Sequence, residues 1–115
     1  MTPACSSVRR ALLASVVVLL AGKQRSLAEE PYEVVVSRNV MVSMRDGVRL
    51  ATDVYRPARN GVPVAGKFPV ILERTPYGKD SIAGWAGYFV PRGYVAVGQD
   101  TRGRWASEGR WRLPA

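Results

Sequence analysis

The spacing of apolar residues changes along the chain, and the first pattern predicts a pair of strands. Valines dominate residues 32–44, and residues 48–57 alternate apolar with polar side chains. The Arg-Asp-Gly at 45–47 favours a tight turn between them, because Asp and Gly tolerate positive φ. We therefore predict an antiparallel hairpin with one packed face and one solvated face, the solvated one carrying Arg49 and Asp53.

A second pattern follows after a loop rich in Gly and Pro. Residues 68–73 and 94–100 are nearly continuous apolar runs, which is typical of strands buried on both faces. Residues 81–93 between them have helical spacing, with Pro91 to end or kink the helix and Gly93 to close it. The apolar positions of this helix are Ile82, Trp85, Tyr88 and Phe89. Of these, Trp85 and Tyr88 are predicted to pack in the core.

The order of these elements predicts the fold class. Strand, helix and strand in succession form the crossover unit of a parallel sheet. A hairpin that leads into such a unit predicts an α/β fold. A parallel sheet needs helices over both faces, whereas this sequence offers one helix for about four strands. We therefore expect the fold within this sequence to be incomplete.

Composition and charge narrow the class of protein. A chain of 115 residues with 47% hydrophobic and 23% charged residues has ordinary globular composition. The net charge is +8, but residues 1–28 hold four cations and no acid, which leaves 13 cations against nine acids in residues 29–115. No array of aromatic and basic residues accompanies this small excess, so we predict no nucleic-acid partner. The one cysteine, Cys5, leaves the rest without a disulfide, a thiol nucleophile or a cysteine metal ligand.

Residues 1–28 have the layout of a secretory signal peptide. An arginine pair at 9–10 precedes an apolar stretch, and the triplet Ser-Leu-Ala at 26–28 offers a cleavage site after its last residue. The apolar stretch is shorter than the roughly 20 residues of a membrane-spanning helix, so we expect no stable membrane anchor. The arginine pair slightly favours twin-arginine export over the general route, with an organelle transit peptide as the alternative. The prediction is an exported protein, periplasmic or extracellular.

Two apolar runs end in loops that carry candidate chemistry. The first breaks at Thr-Pro-Tyr-Gly, so that Tyr77 directly follows a predicted strand, and Asp100 ends the next strand. In open α/β sheets, functional residues cluster at the carboxyl ends of the strands. From the residues alone, Tyr77 is either a site residue or a tyrosine in an ordinary strand-to-helix turn, and Asp100 is either catalytic or structural.

Three blocks of sequence together resemble a known family. They are VSMRDGVRLATDVYRP at 42–57, FPVILERTPYGK at 68–79 and YFVPRGYVAVGQDTRGRWASEG at 88–109. In order and spacing they are similar to the opening of the catalytic domain in CocE/NonD hydrolases, the group that includes cocaine esterase and the X-Pro dipeptidyl-peptidases. The resemblance implies an α/β-hydrolase fold, of which this chain is the N-terminal portion. It also implies a serine nucleophile and a small ester, amide or peptide substrate, without a cofactor or a metal.

The resemblance gives Tyr77 a catalytic role. In this family the tyrosine of the Thr-Pro-Tyr loop donates its phenol O–H to the oxyanion of the tetrahedral intermediate, beside a backbone N–H next to the nucleophile. A donor that is fixed in advance lowers the barrier by roughly 3 to 4 kcal/mol. Pro76 restricts the backbone before Tyr77 and so favours a rigid placement of the phenol.

The second loop has a structural role in the family pattern. Asp-x-Arg-Gly is a turn there, so Asp100, Arg102 and Gly103 are expected to hold the loop, with Arg102 paired to Asp100 or Glu108. Trp105 stands where the family commonly has glycine. The conformation of the turn at this position is therefore the point where the chain departs from the family.

Several catalytic and binding motifs are missing from the sequence. With no histidine, neither a Ser-His-Asp triad nor a usual zinc site can be assembled from it. No G-x-S-x-G elbow and no Gly-rich phosphate loop occurs. We therefore expect residues 29–115 to be a truncated N-terminal part of the catalytic domain of a secreted serine hydrolase, inactive alone. The alternative is a non-catalytic small secreted binding or interaction protein that keeps a hydrolase-like opening.

Overall fold

The predicted hairpin is the first element of the computed structural model, which describes residues 30–113. Strands β1 (Glu33–Ser43) and β2 (Arg49–Arg59) pair antiparallel, from Glu33 opposite Ala58 to Ser43 opposite Arg49. The register shifts between Ser37 and Val40, which marks a bulge in β1. The two-residue strand β3 (Val62–Pro63) pairs with the end of β2, within the segment that the sequence pattern assigns to a loop.

The predicted strand, helix and strand are also present. β4 (Val70–Thr75) and β5 (Val95–Asp100) pair in parallel, from Val70 opposite Val95 to Thr75 opposite Asp100. β5 also pairs antiparallel with β2, so the main strand order is β1-β2-β5-β4. The chain therefore has a mixed α/β sheet in which β5 is central and β4 lies at one edge.

One helix connects the two parallel strands. α1 (Ala83–Phe89) lies between two 3₁₀ turns, Lys79–Ile82 and Val90–Arg92. The helix ends at Phe89, just before Pro91, and Gly93 then takes the left-handed conformation with φ 93°. Both predictions for the end of the helix are confirmed.

A small apolar core lies where α1 meets β2 and β5. Val36 of β1 and Trp85 of α1 pack against the edge of this core, whereas Tyr88 is 55% exposed. The prediction that Tyr88 packs in the core is therefore wrong, because α1 contacts the sheet with only one narrow face. The buried core residues are Tyr55, Ile82, Ala86, Val90 and Ala96.

Ile82, the last residue of the first 3₁₀ turn, packs closely over Gly98 of β5. A Cβ atom at position 98 would overlap the side chain of Ile82 and would lie 3.2 Å from the carbonyl oxygen of Lys79. Only glycine lets the 3₁₀ turn before α1 approach β5 this closely. The contact therefore fixes the distance between the start of the helix and the central strand.

Two burial predictions are wrong for the described residues. β2 is buried on both sides of its alternation at Leu50, Ala51 and Asp53, so the predicted solvated face is wrong at Asp53, whereas Arg49 is exposed as predicted. β4 was predicted to be buried on both faces, yet Val70 and Leu72 are 60% and 55% exposed. The cause is how the faces of the sheet are covered: α1 packs on the face that carries Ala96, whereas no helix in the part of the chain described covers the opposite face, which carries Val70 and Leu72.

Candidate active site

The candidate site lies at the carboxyl ends of the two parallel strands. Thr75 and Asp100 are the last paired residues of β4 and β5, and the N–H of Thr101 donates to the carbonyl oxygen of Thr75 at 3.1 Å. The loops that follow therefore leave the sheet side by side. This arrangement brings Tyr77 and the segment after Asp100 to the same edge of the sheet.

Tyr77 sits in a short turn between β4 and the first 3₁₀ turn. Its backbone N–H donates to the hydroxyl oxygen of Thr75 at 3.1 Å, and the next residue, Gly78, has φ 100°, which favours glycine. The side chain of Tyr77 is turned outward, and the residue is 81% exposed. The phenol is thus open to approach, while the backbone that carries it is held in place.

Two side chains from the loop after β5 converge on the residue before Tyr77. The indole Nε1–H of Trp105 donates to the carbonyl oxygen of Pro76 at 3.0 Å, and Nε of Arg104 donates to the same oxygen at 3.3 Å. Trp105 has φ 51°, in the left-handed region that favours glycine. The chain therefore keeps the turn geometry of a glycine at this position, although its residue departs from the family.

Asp100 holds the two loops together, in agreement with its structural interpretation. One carboxylate oxygen accepts from the N–H of Lys79 at 2.8 Å, and the other accepts from the N–H of Ala106 at 3.3 Å. The Asp100 carbonyl accepts from the Ser107 hydroxyl at 2.7 Å. All its bonds therefore go to the loop backbone or to the side chain of a loop residue.

A buried ion-pair cluster lies beneath the Tyr77 loop. Lys79 Nζ is 3.5 Å from Asp53 Oδ1 and 3.8 Å from Asp100 Oδ2. Asp53 Oδ2 also lies 3.2 Å from Arg38 Nη1, and Asp53 Oδ1 accepts a hydrogen bond from the N–H of Asn39 at 2.8 Å. The prediction of a solvated Asp53 is therefore wrong: the carboxylate is fully buried, and two cations and a backbone donor compensate for the loss of water.

Sequence reasoning missed this cluster and the contact of Trp105 with Pro76. In the sequence, Lys79 is only the last residue of a family block, and Arg38 carries no signal. A buried charge needs a partner of opposite sign, so an aspartate in the middle of a central strand was the one available signal. It did not identify the partners, which lie 15 and 26 residues from Asp53 along the chain.

The turn after Asp100 is attached to the hairpin by two exposed ion pairs. Arg102 donates to both oxygens of Asp46, at 2.6 and 3.1 Å, so its predicted pairing with Asp100 or Glu108 is wrong. Glu108 instead accepts from Nη2 and Nε of Arg49, at 2.6 and 3.0 Å. Arg102 reaches the turn between β1 and β2 because that turn lies beside its own loop.

These pairs shift the pKa of both carboxyl groups. The hydrogen bonds from Arg102 and from the Val48 N–H hold the pKa of Asp46 below its ordinary value. The side chain and the backbone N–H of Arg49 lower the pKa of Glu108 in the same way. The pKa of each arginine is raised by its carboxylate partner. All four groups are therefore charged at neutral pH.

Neither a candidate metal centre nor a candidate membrane-spanning helix occurs within the described residues. Residues 30–113 contain no group of three or more His, Cys, Asp or Glu side chains that could hold a metal ion. Over the same range, no helix has the length and apolar character needed to cross a membrane. The predicted signal peptide, residues 1–28, lies outside the described residues.

Comparison with known proteins places the chain in a family of hydrolases. The sequence model of the X-Pro dipeptidyl-peptidase (S15 family) matches residues 46–114. Cocaine esterase from Rhodococcus sp. (strain MB1 Bresler) is 51% identical over 82 residues, which are 66% of this chain and 13% of that protein. The chain thus spans about an eighth of the length of this curated relative.

Solved structures give the same result for the fold. An α-amino acid ester hydrolase matches 87% of this chain and 17% of its own, with a TM-score of 0.57 and 29% identity. A CocE/NonD family hydrolase from Staphylococcus aureus matches 63% of this chain and 16% of its own, with a TM-score of 0.52 and 29% identity. An aminopeptidase from a marine sediment archaeon, Thaumarchaeota archaeon, matches 70% and 14%, with a TM-score of 0.53 and 28% identity. The resemblance found in the sequence is confirmed.

Proposed function

Because the chain belongs to the X-Pro dipeptidyl-peptidase (S15) family of hydrolases, we propose that residues 29–115 form the N-terminal part of the catalytic domain of an exported serine hydrolase. Its reaction is the cleavage of an ester or amide bond, X-Pro peptide bonds included. Export is supported by the sequence pattern of residues 1–28. Within this chain, the catalytic contribution is the phenol of Tyr77.

One observation carries the proposal: Tyr77 follows the parallel strand β4 directly, with its phenol exposed and its backbone fixed. In α/β-hydrolases, an oxyanion donor comes from the loop that follows the third strand of the catalytic sheet. When a nucleophile attacks a carbonyl carbon, negative charge develops on the carbonyl oxygen. A phenol O–H that a fixed backbone carries at the sheet edge can donate to that oxygen, which is the basis of the proposed role.

The rest of the catalytic machinery has to come from residues outside this sequence. A Ser-His-Asp mechanism requires an imidazole base, and the 115 residues contain no histidine. We therefore expect the chain alone to have no hydrolase activity, and the proposed reaction belongs to the full-length product of the gene. The fragment hypothesis is favoured over a small binding protein because the chain matches only 13% of cocaine esterase.

The kinds of hydrolase among the relatives support the proposed range of substrates. They include an esterase, an amino acid ester hydrolase and an aminopeptidase. Cleavage of an ester and cleavage of an amide pass through the same kind of tetrahedral oxyanion, so one donor serves both reactions. We propose a small acyl ester, amide or X-Pro peptide as the substrate, hydrolysed without a cofactor.

The test compares two tyrosine variants of the full-length gene product. Tyr77→Phe removes the phenol O–H and should lower kcat about 100- to 1,000-fold, with little change in KM, because the oxyanion forms only during reaction. Tyr88→Phe, which removes an exposed phenol from α1, is the control and should keep the kcat of the wild type. Hydrolysis of p-nitrophenyl esters and of X-Pro p-nitroanilides measures both parameters.

Two results would contradict the proposal. A Tyr77→Phe variant with the kcat of the wild type would remove Tyr77 from the mechanism. A full-length product that hydrolyses neither substrate type would remove the enzymatic function and leave the binding-protein alternative.

A further inference from the structure

The peptide group between Pro76 and Tyr77 is held at both ends. Its carbonyl oxygen accepts from the indole Nε1–H of Trp105 at 3.0 Å, and its N–H donates to the hydroxyl oxygen of Thr75 at 3.1 Å. A peptide group is planar, so fixing the oxygen and the nitrogen fixes its orientation. That orientation fixes the N–Cα bond of Tyr77, and the side chain branches from this Cα atom.

The indole also contacts the residue on the other side of Tyr77. A Cβ atom at Gly78 would lie 3.3 Å from Cε2 of Trp105, so the ring covers the Gly78 backbone closely. Trp105 thereby touches both neighbours of Tyr77 in the sequence. It is itself 69% exposed, so this contact is not a by-product of core packing.

The backbone of Trp105 is in a conformation that is unfavourable for its residue type. Its φ of 51° is in the left-handed region, which disfavours residues with a Cβ and is easily adopted by glycine. An exposed tryptophan gains little from burial at such a position. The Trp105 side chain contacts Pro76 and Gly78 instead. Residues with strained backbone conformations are frequent at functional sites.

We propose that Trp105 is a positioning residue for Tyr77, acting through the Pro76 carbonyl. The inference rests on the proposed function of Tyr77. Because the Tyr77 side chain is exposed, packing does little to fix it, and its aim depends on the backbone of residues 76–78. With the indole bond in place, the phenol stays where the oxyanion develops. Without it, only the longer bond from Arg104, at 3.3 Å, holds the Pro76 carbonyl, so the phenol spreads over more positions and stabilises the transition state less.

The test is a double-mutant cycle on the full-length gene product. Trp105→Phe keeps an aromatic ring and removes the Nε1–H, and should lower kcat about five-fold, the factor that corresponds to one hydrogen bond. KM should change less than two-fold, because the substrate in its ground state does not use the oxyanion donor. Combined with Tyr77→Phe, the Trp105→Phe change should lower kcat no further, because the phenol through which it acts is gone.

Trp85→Phe is the matched control. It removes an indole N–H that donates at the same distance, 3.0 Å, but to the carboxylate of Glu73 on β4 rather than to the Tyr77 loop. It should keep the kcat of the wild type. A general effect of losing one indole hydrogen bond would lower kcat in both variants and would overturn the inference.

The outcomes separate the two proposals. If Tyr77→Phe leaves kcat unchanged, the proposed role of Tyr77 fails, and the inference fails with it. If Tyr77→Phe lowers kcat but Trp105→Phe does not, the positioning role is wrong and the role of Tyr77 stands. The same conclusion holds if the Trp105→Phe change lowers kcat by the same factor with Tyr77 and with Phe at position 77.

Trp105→Gly is a second variant, chosen so that a loss of activity can be distinguished from unfolding. Glycine adopts φ 51° without strain, so this variant keeps the turn while losing the whole indole. A thermal melt establishes that it is folded, and its kcat should be at least as low as that of Trp105→Phe. A folded Trp105→Gly variant with the kcat of the wild type would overturn the inference.

Discussion

Strands β2 and β4 belong to one sheet, and their burial is the reverse of what their side chains suggest. β2 carries charged and polar residues, yet Thr52 and Asp53 are buried. β4 begins Val-Ile-Leu, yet Val70 and Leu72 are exposed. β2 has a strand on each side and β4 has one neighbour in the described residues. Side chains point out of the plane of the sheet, so the cover on each face decides burial: Asp53 lies on the face where Ile82 packs, and Leu72 lies on the opposite face. A polar residue on the covered face has to find its partner inside the protein.

The largest expected effect on stability comes from removing the buried carboxylate of β2. Asp53→Ala removes the buried carboxylate that meets Lys79 and Arg38, and leaves the Lys79 ammonium with Asp100 alone. We expect a loss of about 3 to 5 kcal/mol in the free energy of unfolding, because breaking a buried pair leaves charge uncompensated. Urea denaturation of the chain, followed by circular dichroism, measures this loss.

The control for that prediction uses the same arginine. Asp80 also lies beside Arg38, at 3.4 Å, but its side chain is 84% exposed. Asp80→Ala should change the free energy of unfolding by no more than about 0.5 kcal/mol, since exposed pairs contribute little. Equal losses for Asp53→Ala and Asp80→Ala would show that burial does not decide the strength of these pairs.

The next effect compares two large apolar side chains. Ile82 is fully buried against β5, so Ile82→Ala should cost about 2 to 5 kcal/mol through lost burial and the cavity that remains. Leu72→Ala on the exposed part of β4 should cost no more than about 0.5 kcal/mol in the same chain. Denaturant midpoints give both changes in the free energy of unfolding, provided that the dependence on denaturant has the same slope in each variant. Similar changes for the two variants would mean that Leu72 is packed.

The smallest effect sharpens the contrast between buried and exposed carboxylates. The folded pKa of Asp46 is lowered from its ordinary 3.8, chiefly by Arg102. A lowered pKa in the folded state adds stability that is present above pH 3.8 and is lost as the pH falls through the folded value. Asp46→Asn should therefore lower the melting temperature slightly at pH 7.

The pH dependence supplies the check on this prediction. Below the folded pKa, wild-type Asp46 is protonated and resembles asparagine, so the difference in melting temperature between the two proteins should vanish near the acid limit of folding. Added salt at pH 7 should reduce the same difference, because the Asp46–Arg102 pair is exposed. A difference that stays constant down to acid pH would assign the effect to something other than this ion pair.

Sequence reasoning predicted the parts of the fold that depend on local signals. The turn at 45–47 predicted the hairpin, and Pro91 and Gly93 predicted the end of the helix, because each acts through the backbone conformation of its own residue. The order of strand, helix and strand was also predicted from local patterns, those of the apolar residues within each segment. The position of Tyr77 at the end of β4 followed from that order.

The contacts that shape the candidate site could not be predicted in the same way. Trp105 reaches Pro76 across 29 positions of sequence, and Arg102 reaches Asp46 across 56. The pattern of a single strand does not reveal which cation will meet Asp53, because that depends on the path of the loop between β4 and α1. Likewise, the exposure of Leu72 follows from which face of the sheet α1 covers and not from the apolar sequence of β4.

The close contact between Ile82 and Gly98 has a consequence for how this family of sequences can evolve. A side chain can be added at position 98 only if position 82 becomes smaller first, because a Cβ atom there overlaps the Ile82 side chain and crowds the Lys79 carbonyl. The two positions should therefore vary together among relatives, with alanine at 98 tolerated beside a small residue at 82. Single substitutions at position 98 should be rare in lineages that keep isoleucine at 82, so the order in which mutations arise is itself constrained.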